Sequence, residues 1–147
     1  MPTGERTDPF RSFNFRVEIE GIAAASFSEV SGLVADGDPV EYREGTDIRN
    51  TMRKMPGMRK FPIVNLKRGL IEDDVMWKWY GNILNGIADR RGVSIILMNE
   101  SHQDVLRWNL EAAWINKIEG PSLKASGNEV AIESLDLVHE GITMEIA

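Results

Sequence analysis

Residues 13–20 alternate strictly. Phe13, Phe15, Val17 and Ile19 are apolar, and Asn14, Arg16, Glu18 and Glu20 are polar. A period of two with one apolar face predicts a half-buried strand, and Gly21 punctuates its end. Residues 26–33 predict a second strand of less regular pattern. Phe27 and Val30 fall on opposite parities there, which a bulge reconciles. Asp36-Gly37-Asp38-Pro39 reads as a turn leading into a short strand over 40–43. Residues 44–60 show no period and hold Gly45, Pro56, Gly57 and three methionines. They read as an extended loop, and a loop of that length inside a compact domain is usually functional or disordered. The chain returns to strand over 61–67, with Pro62 marking a strand start or edge.

One helix is predicted over 72–84, where Val75, Met76, Trp79, Tyr80, Ile83 and Leu84 recur at three- and four-residue spacing. Glu72, Asp73 and Asp74 are placed in its first turn, where the helix dipole favours negative charge. Gly86, after Asn85, reads as its stop. Residues 93–99 are apolar on both faces, as a central strand should be. A polar turn over 100–103 leads into a long strand over 104–119. On one face it carries Leu106, Trp108, Leu110, Ala112, Trp114 and Ile118, and on the other Arg107, Asn109, Glu111, Lys117 and Glu119. Gly120-Pro121 ends it, and 129–144 reads as one or two more strands with a parity break near Ser134. The sum is about seven strands and one helix in a single domain over 1–147. The predicted fold class is mainly β, an antiparallel sandwich or barrel with a flanking helix.

Composition narrows the chemistry. The chain has no cysteine, which removes disulfides, thiolate metal sites and thiol nucleophiles together. No apolar run approaches the ~18 residues of a membrane span, and the polar start Met1-Pro2-Thr3-Gly4-Glu5-Arg6 has no apolar core of a secretory signal. His102, in the polar turn, and His139, in a strand, have no metal-ligand spacing around them and read as ordinary surface or edge histidines. Glu72, Asp73 and Asp74 are consecutive, so they do not converge on one point. They read as dipole complements, or as acids that meet a neighbour's basic loop. Phosphate loops, nucleophile elbows and triads are absent. No catalytic residue, cofactor or metal is expected, and the protein is read as not an enzyme.

The net charge is −6, unevenly spread. Arg49, Arg53, Lys54, Arg59, Lys60, Lys67 and Arg68 fall in one stretch without an acid, so removing those seven positives leaves −13 on the remainder. Such asymmetry usually reports a partner surface, and the simplest partner is another copy of the same acidic chain. Tight nucleic-acid binding is not expected, because aromatics for base stacking are not interleaved there and the domain is acidic. Met52, Met55 and Met58 suit an adaptable contact across an interface. Trp77 and Trp79 point about 200° apart on a helix. Trp79 is therefore expected inside and Trp77 at the surface or an interface.

The order of several short motifs carries a resemblance. They are Asp8-Pro9-Phe10 with Phe13-Asn14-Phe15-Arg16-Val17-Glu18-Ile19, then Phe27-Ser28-Glu29-Val30-Ser31-Gly32-Leu33, Tyr42-Arg43-Glu44-Gly45, Met55-Pro56-Gly57 and Leu66-Lys67-Arg68-Gly69. Trp108-Asn109-Leu110, Ala113-Trp114, Gly120-Pro121 and Glu129-Val130-Ala131-Ile132-Glu133 follow. Together they resemble the tail-tube proteins of contractile-tail phages and of extracellular contractile injection systems.

The resemblance implies a structural subunit: six-membered rings, strands of all six forming one barrel, and rings stacked into a hollow conduit for cargo or DNA. It also implies a surrounding sheath, baseplate or initiator and terminator partners, and assembly in the cytoplasm before the particle acts as a virion or outside the cell. Within that picture Asn14, Arg16, Glu18, Arg107, Asn109 and Glu111 are lumen-facing candidates, because a lumen strand is polar toward the channel. Arg49, Met52, Arg53, Lys54, Met55, Met58, Arg59 and Lys60, with Glu72, Asp73 and Asp74, are candidates for ring stacking, and Trp77 for contact with a sheath or neighbour. A type VI secretion-like ring protein and a monomeric nucleic-acid-binding barrel are the alternatives.

Overall fold

The computed structural model describes residues 8–147 apart from 13 and 47, and the backbone alone at 23–25. Phe13, at the head of the first sequence pattern, lies outside the described residues. The elements run β1 (Phe15–Ile19), β2 (Ile22–Ala25), β3 (Glu29–Ser31), β4 (Asp36–Tyr42), β5 (Arg53–Lys60), β6 (Val64–Gly69), α1 (Val75–Leu84), β7 (Arg91–Met98), β8 (Asp104–Glu119), β9 (Ile132–Val138) and β10 (Gly141–Ile146). Every described strand pair is antiparallel, as the alternating patterns predict.

Two sheets share β8. The first runs β2-β1-β7-β8, with β10 on the other side of β8; the second runs β8-β9-β6-β3. β8 is 16 residues long and bends where it changes sheet. Ala112 sits there at a φ of 50°, and the register against β7 shifts between Arg91 and Val93. On the partner side the chain kinks at the same level: Val138 pairs Trp114, Gly141 pairs Glu111, and residues 139–140 form the turn between. Strands that bulge and switch sheets make the corners of such packings.

The bend overturns part of the sequence reading. Parity flips at Ala112, so the buried residues after Leu110 are Ala113 and Ile115, and Trp114 points outward, half-buried beside Ile83, Ile87 and Arg90. A single left-handed residue moves the side chains that follow it to the opposite face, until a second register shift between Ile115 and Lys117 returns Ile118 to the core side as expected, and alternation alone reveals neither.

The core lies between the sheets. Val17, Ile19, Val93, Ile95 and Leu110 of the first meet Val64, Leu66, Ala113, Ile115, Leu135 and Leu137 of the second, with Met76 and Trp79 of α1. Trp79 is buried and its Nε1 donates to the Asp89 carbonyl at 2.8 Å. The Arg91 guanidinium stacks 5.1 Å from its ring and is held by the Asp89 carboxylate. Trp77, half a turn away, is 46% exposed, so the two tryptophans divide as expected.

Other boundaries move. Helix α1 begins at Val75, and Glu72, Asp73 and Asp74 precede its first turn; Asp74 holds the cap position without a side-chain bond to the helix, and Asp73 Oδ1, one residue before it, accepts from the Val75 N–H at 2.7 Å. Of the strand expected over 26–33 only β3 forms, and β2 precedes it unannounced, since Ile22 and three alanines show no alternation. In 129–144 the break falls at residues 139–140 and not at Ser134, because Glu133, Leu135 and Leu137 keep one inward parity throughout β9. His139 lies in that turn, buried, with Nδ1 3.0 Å from the Gly141 carbonyl, and so is not the strand or surface histidine expected.

The largest correction is the loop over 44–60. Residues Arg53–Lys60 form β5, which pairs with β4 in a separate two-stranded sheet, and Asp36-Gly37-Asp38-Pro39 belongs to β4 and is not a turn. Only 43–52 remains as connection. The hairpin is exposed on both faces, so neither strand has to alternate and the sequence carries no strand period. Pro39 stands opposite Pro56, where the absent N–H groups are tolerated because both strands are edges. At Gly57, where the register shifts, a β-carbon would lie 2.1 Å from the Asp38 carbonyl.

Candidate functional site

Cross-strand register gathers the lumen candidates on one face of the first sheet. Arg16 pairs Ile96, Ile96 pairs Arg107 and Arg107 pairs Glu145. The next row of that face is Glu18, Ser94, Asn109 and Thr143. Asn14 and Glu111 continue it at either end, Glu111 opposite Gly141. Residues two apart on a strand share a face, so these four strands present one polar wall while their other face feeds the core.

The wall is a ladder of ion pairs. Arg16 grips Asp104 with both terminal nitrogens, Nη2 at 2.7 Å from Oδ2 and Nη1 on Oδ1, and its Nε donates to Glu18 at 3.2 Å. Arg107 Nη1 donates to Glu18 at 3.5 Å, and its Nε lies 3.9 Å from Glu145. Asn109 donates to Glu145 at 3.2 Å and accepts from the Ser94 hydroxyl at 2.8 Å. Ile96 sits between Arg16 and Arg107 on this face and is fully buried; long arginine stems cover apolar surface while their heads stay wet. Each arginine therefore faces at least two carboxylates. Asp104, Glu145 and Ser94 were not singled out from sequence. Asp104 heads its strand, where the polar turn hides its face, and β10 was cut two residues short at Met144.

The Arg16 hydrogen bond holds the Asp104 carboxyl below the usual carboxylate range; burial opposes this, and the charges of Arg16 and Arg107 add to it. A depressed native pKa adds stability that is present above the unfolded value, about 3.9, and is lost as pH falls through the native one. In Arg16→Gln the Asp104 carboxyl is expected to titrate at higher pH than in the parent chain, read by NMR of the side-chain carboxyl. An unchanged titration would remove this contact from the ladder.

The stacking candidates divide. Arg53, Lys54, Met55, Met58, Arg59 and Lys60 lie on β5, and Arg49 and Met52 on the connection before it. Folding brings acids to them: Lys60 is 2.6 Å from Asp38, and Lys54 stands opposite Glu41. Residues 36–60 contain six basic and five acidic residues, so the hairpin is close to neutral, and the basic surface expected from sequence is largely answered within the hairpin itself. Beside these charges it exposes apolar side chains: Val40, Tyr42, Met52, Met55, Met58, 86% exposed, and on the connection Ile48, 99% exposed. Asp73 and Asp74 pair locally, with Arg68 at 3.6 Å and Lys78 at 3.4 Å. The described residues contain no cluster of three metal-ligating side chains and no helix long and apolar enough to cross a membrane.

The family described as T4-like virus tail tube protein gp19 matches residues 11–143. Among solved structures, the cap of the anti-feeding prophage, described as its tube terminating cap, is similar at 29% identity and a TM-score of 0.85, over 97% of this chain and 95% of that one. The sheath-tube complex of PVC, an extracellular contractile injection system, contains a chain similar at 25% identity and a TM-score of 0.84, over 95% and 93%. Hcp1 from Flavobacterium johnsoniae, at 11% identity and 0.60 over 90% and 94%, shares the fold alone. No curated protein sequence matches the chain.

Proposed function

The chain belongs to the T4-like virus tail tube protein family, and from that premise we propose that its copies close into six-membered rings that stack into the hollow inner tube of a contractile injection particle. The polar wall carries this reading. Four adjacent strands turn a charged face away from the core, and a channel lined by strands requires that face in every subunit. With its arginines held by carboxylates, the wall offers passing phosphates or acidic proteins few open cations, which suits transit better than binding.

In the stacked tube the hairpin β4–β5 contacts the next ring, with Val40, Tyr42, Met52, Met55 and Met58 at the contact and the charges of Arg49, Arg53, Lys54, Arg59 and Lys60, with Glu72, Asp73 and Asp74 of a neighbour, setting its register. Trp77, exposed on α1 beside Gly120, faces a sheath or an adjacent subunit. The solved relatives stand in a tube cap and in a sheath-tube complex, and by that likeness this chain meets terminator, baseplate and sheath proteins in its particle. Type VI-like rings share the fold, but their likeness lies at about one residue in ten, too low to carry function.

Negative-stain electron microscopy over a concentration series tests the reading. Rings or hollow tubes with six-fold end views are expected. A monomer at every concentration, including in the presence of a tube initiator, would overturn it.

A further inference from the structure

Sulfur chemistry in this chain falls on methionine alone, since there are seven methionines and no cysteine. The fold sorts them. Met1 lies outside the described residues. Met76 is fully buried in the core, and Met98 is half-buried, its sulfur accepting from Arg16 Nη1 at 3.8 Å. Met144, Met52 and Met55 are between 45% and 58% exposed, and Met58 stands apart at 86%.

The hairpin backbone accounts for Met58. Pro39 pairs Pro56 and Gly37 pairs Arg59, so Gly57 and Met58 together oppose the single residue Asp38. Two residues against one make a bulge, and bulges re-aim a side chain. Gly57 takes the crowded place against the Asp38 carbonyl, and Met58 is left open to solvent. It shares the hairpin and its connection with Met52 and Met55, in a part of the chain that adds nothing to the buried core.

We propose that Met58 is a modification site, oxidised to the sulfoxide by hydrogen peroxide in the free subunit, and that the sulfoxide bars that copy from the tube. This rests on the stacking reading above and adds a chemical control to it. The step balances. A sulfur lone pair attacks one peroxide oxygen, and the S–O bond forms as the O–O bond breaks. The proton on the transferred oxygen passes to the departing hydroxide, which leaves as water. The sulfur gives up two electrons and the peroxide takes them. The product has a polar S=O acceptor in place of a flexible apolar thioether, a change that disrupts methionine-rich contacts. Covered by the apolar side chains of a contact, that oxygen has no donor, which costs about a factor of ten in the assembly equilibrium. Once the next ring covers the hairpin, peroxide no longer reaches the same sulfur, so free copies are screened and assembled ones protected.

The test starts from free subunit partly oxidised with hydrogen peroxide. The sample is allowed to assemble, tubes are pelleted away from unassembled chain, and both fractions are mapped by peptide mass spectrometry. Met58 is expected to gain its oxygen before any other described methionine, with Met76 unmodified. Its sulfoxide is expected to be about tenfold scarcer in the tubes than in the unassembled fraction. Equal shares in the two fractions would overturn the proposal, and so would faster oxidation at Met144. The two methionine sulfoxide reductases, one for each sulfur epimer, are expected with a thiol to return the unassembled fraction to tubes; a permanent loss would place the damage elsewhere and overturn the assignment. As a second variant, Met58→Gln sets a polar side chain at the same place without oxidant. It is expected to melt as the parent does and to lose tubes, and normal tubes from it would also sink the proposal. No tubes from the untreated parent chain, with or without a tube initiator, would overturn the stacking reading and the block together, whereas parent tubes that admit the sulfoxide overturn the block alone.

Discussion

Arg68→Met is expected to lower stability by about 3–5 kcal/mol, because it leaves the Glu133 carboxylate charged and alone inside the protein. Arg68 and Glu133 are cross-strand partners on β6 and β9, each 1% exposed, with Nε 2.9 Å from Oε2. They continue the inward rows of Val64 and Leu66 on one strand and Leu135 and Leu137 on the other, so the strand period sends both charges into the core. Asp73, 3.6 Å from Arg68, ties the same pair to the approach of α1. The pair is not fully answered: among the described residues Arg68 Nη2 and Glu133 Oε1 have no hydrogen-bond partner. Replacing both members, Arg68→Met with Glu133→Leu, is therefore expected to recover most of the loss, since an apolar pair avoids the desolvation that a half-satisfied ion pair suffers. Denaturant unfolding of the two single variants and the double variant measures this. At this chain length the single change corresponds to a melting-temperature drop of roughly 10 °C. A double variant no better than the singles would show that the pair holds the fold by more than mutual neutralisation.

Deleting the hairpin, by joining residue 35 to residue 61 through a short Gly-Ser linker, is expected to abolish tube growth while leaving the melting temperature within a few degrees. Among the described residues β4 and β5 pair only with each other and contribute nothing to the buried core. Their ends are already close: Gly32, at a φ of 90°, approaches so tightly that a β-carbon there would lie 2.2 Å from the Ile63 carbonyl. An isolated two-stranded hairpin is at best marginally stable in water, and this one exposes apolar side chains on top of that. In the stacking proposed above, the next ring covers it. Thermal melting and electron microscopy on one preparation separate the outcomes. Long tubes from the deletion would remove the hairpin from stacking, and a large loss of stability would make it part of the domain.

Charge reversal of the hairpin is a poorer probe than the sequence suggests. Exchanging Lys54 and Lys60 for acids would set like charges against Glu41 and Asp38 within the hairpin, so a loss of assembly would not distinguish a broken contact from a broken hairpin. Met58, exposed and at the bulge, is the cleaner position for a single substitution.

The amino-acid sequence by itself determined the elements whose stability is local or one-sided. β8 was bounded at residues 104 and 119 because one face had to be apolar over its first half. α1 was visible because its inner side repeats at the helical period, and the same geometry separated Trp79 from Trp77. The polar wall was half legible, since Asn14, Arg16, Glu18, Arg107, Asn109 and Glu111 could be placed on their own strands but not against one another. Tertiary structure alone decided the rest. The left-handed residue at Ala112 put Ile115 inside and Trp114 outside, because a bulge is a choice made by two packed sheets and leaves no local signature. The hairpin looked like a loop because a strand with both faces in solvent has no reason to alternate. Its basic stretch looked like an open charged surface because the acids that answer it lie on the opposite strand, and only backbone pairing brings Glu41 to Lys54 and Asp38 to Lys60.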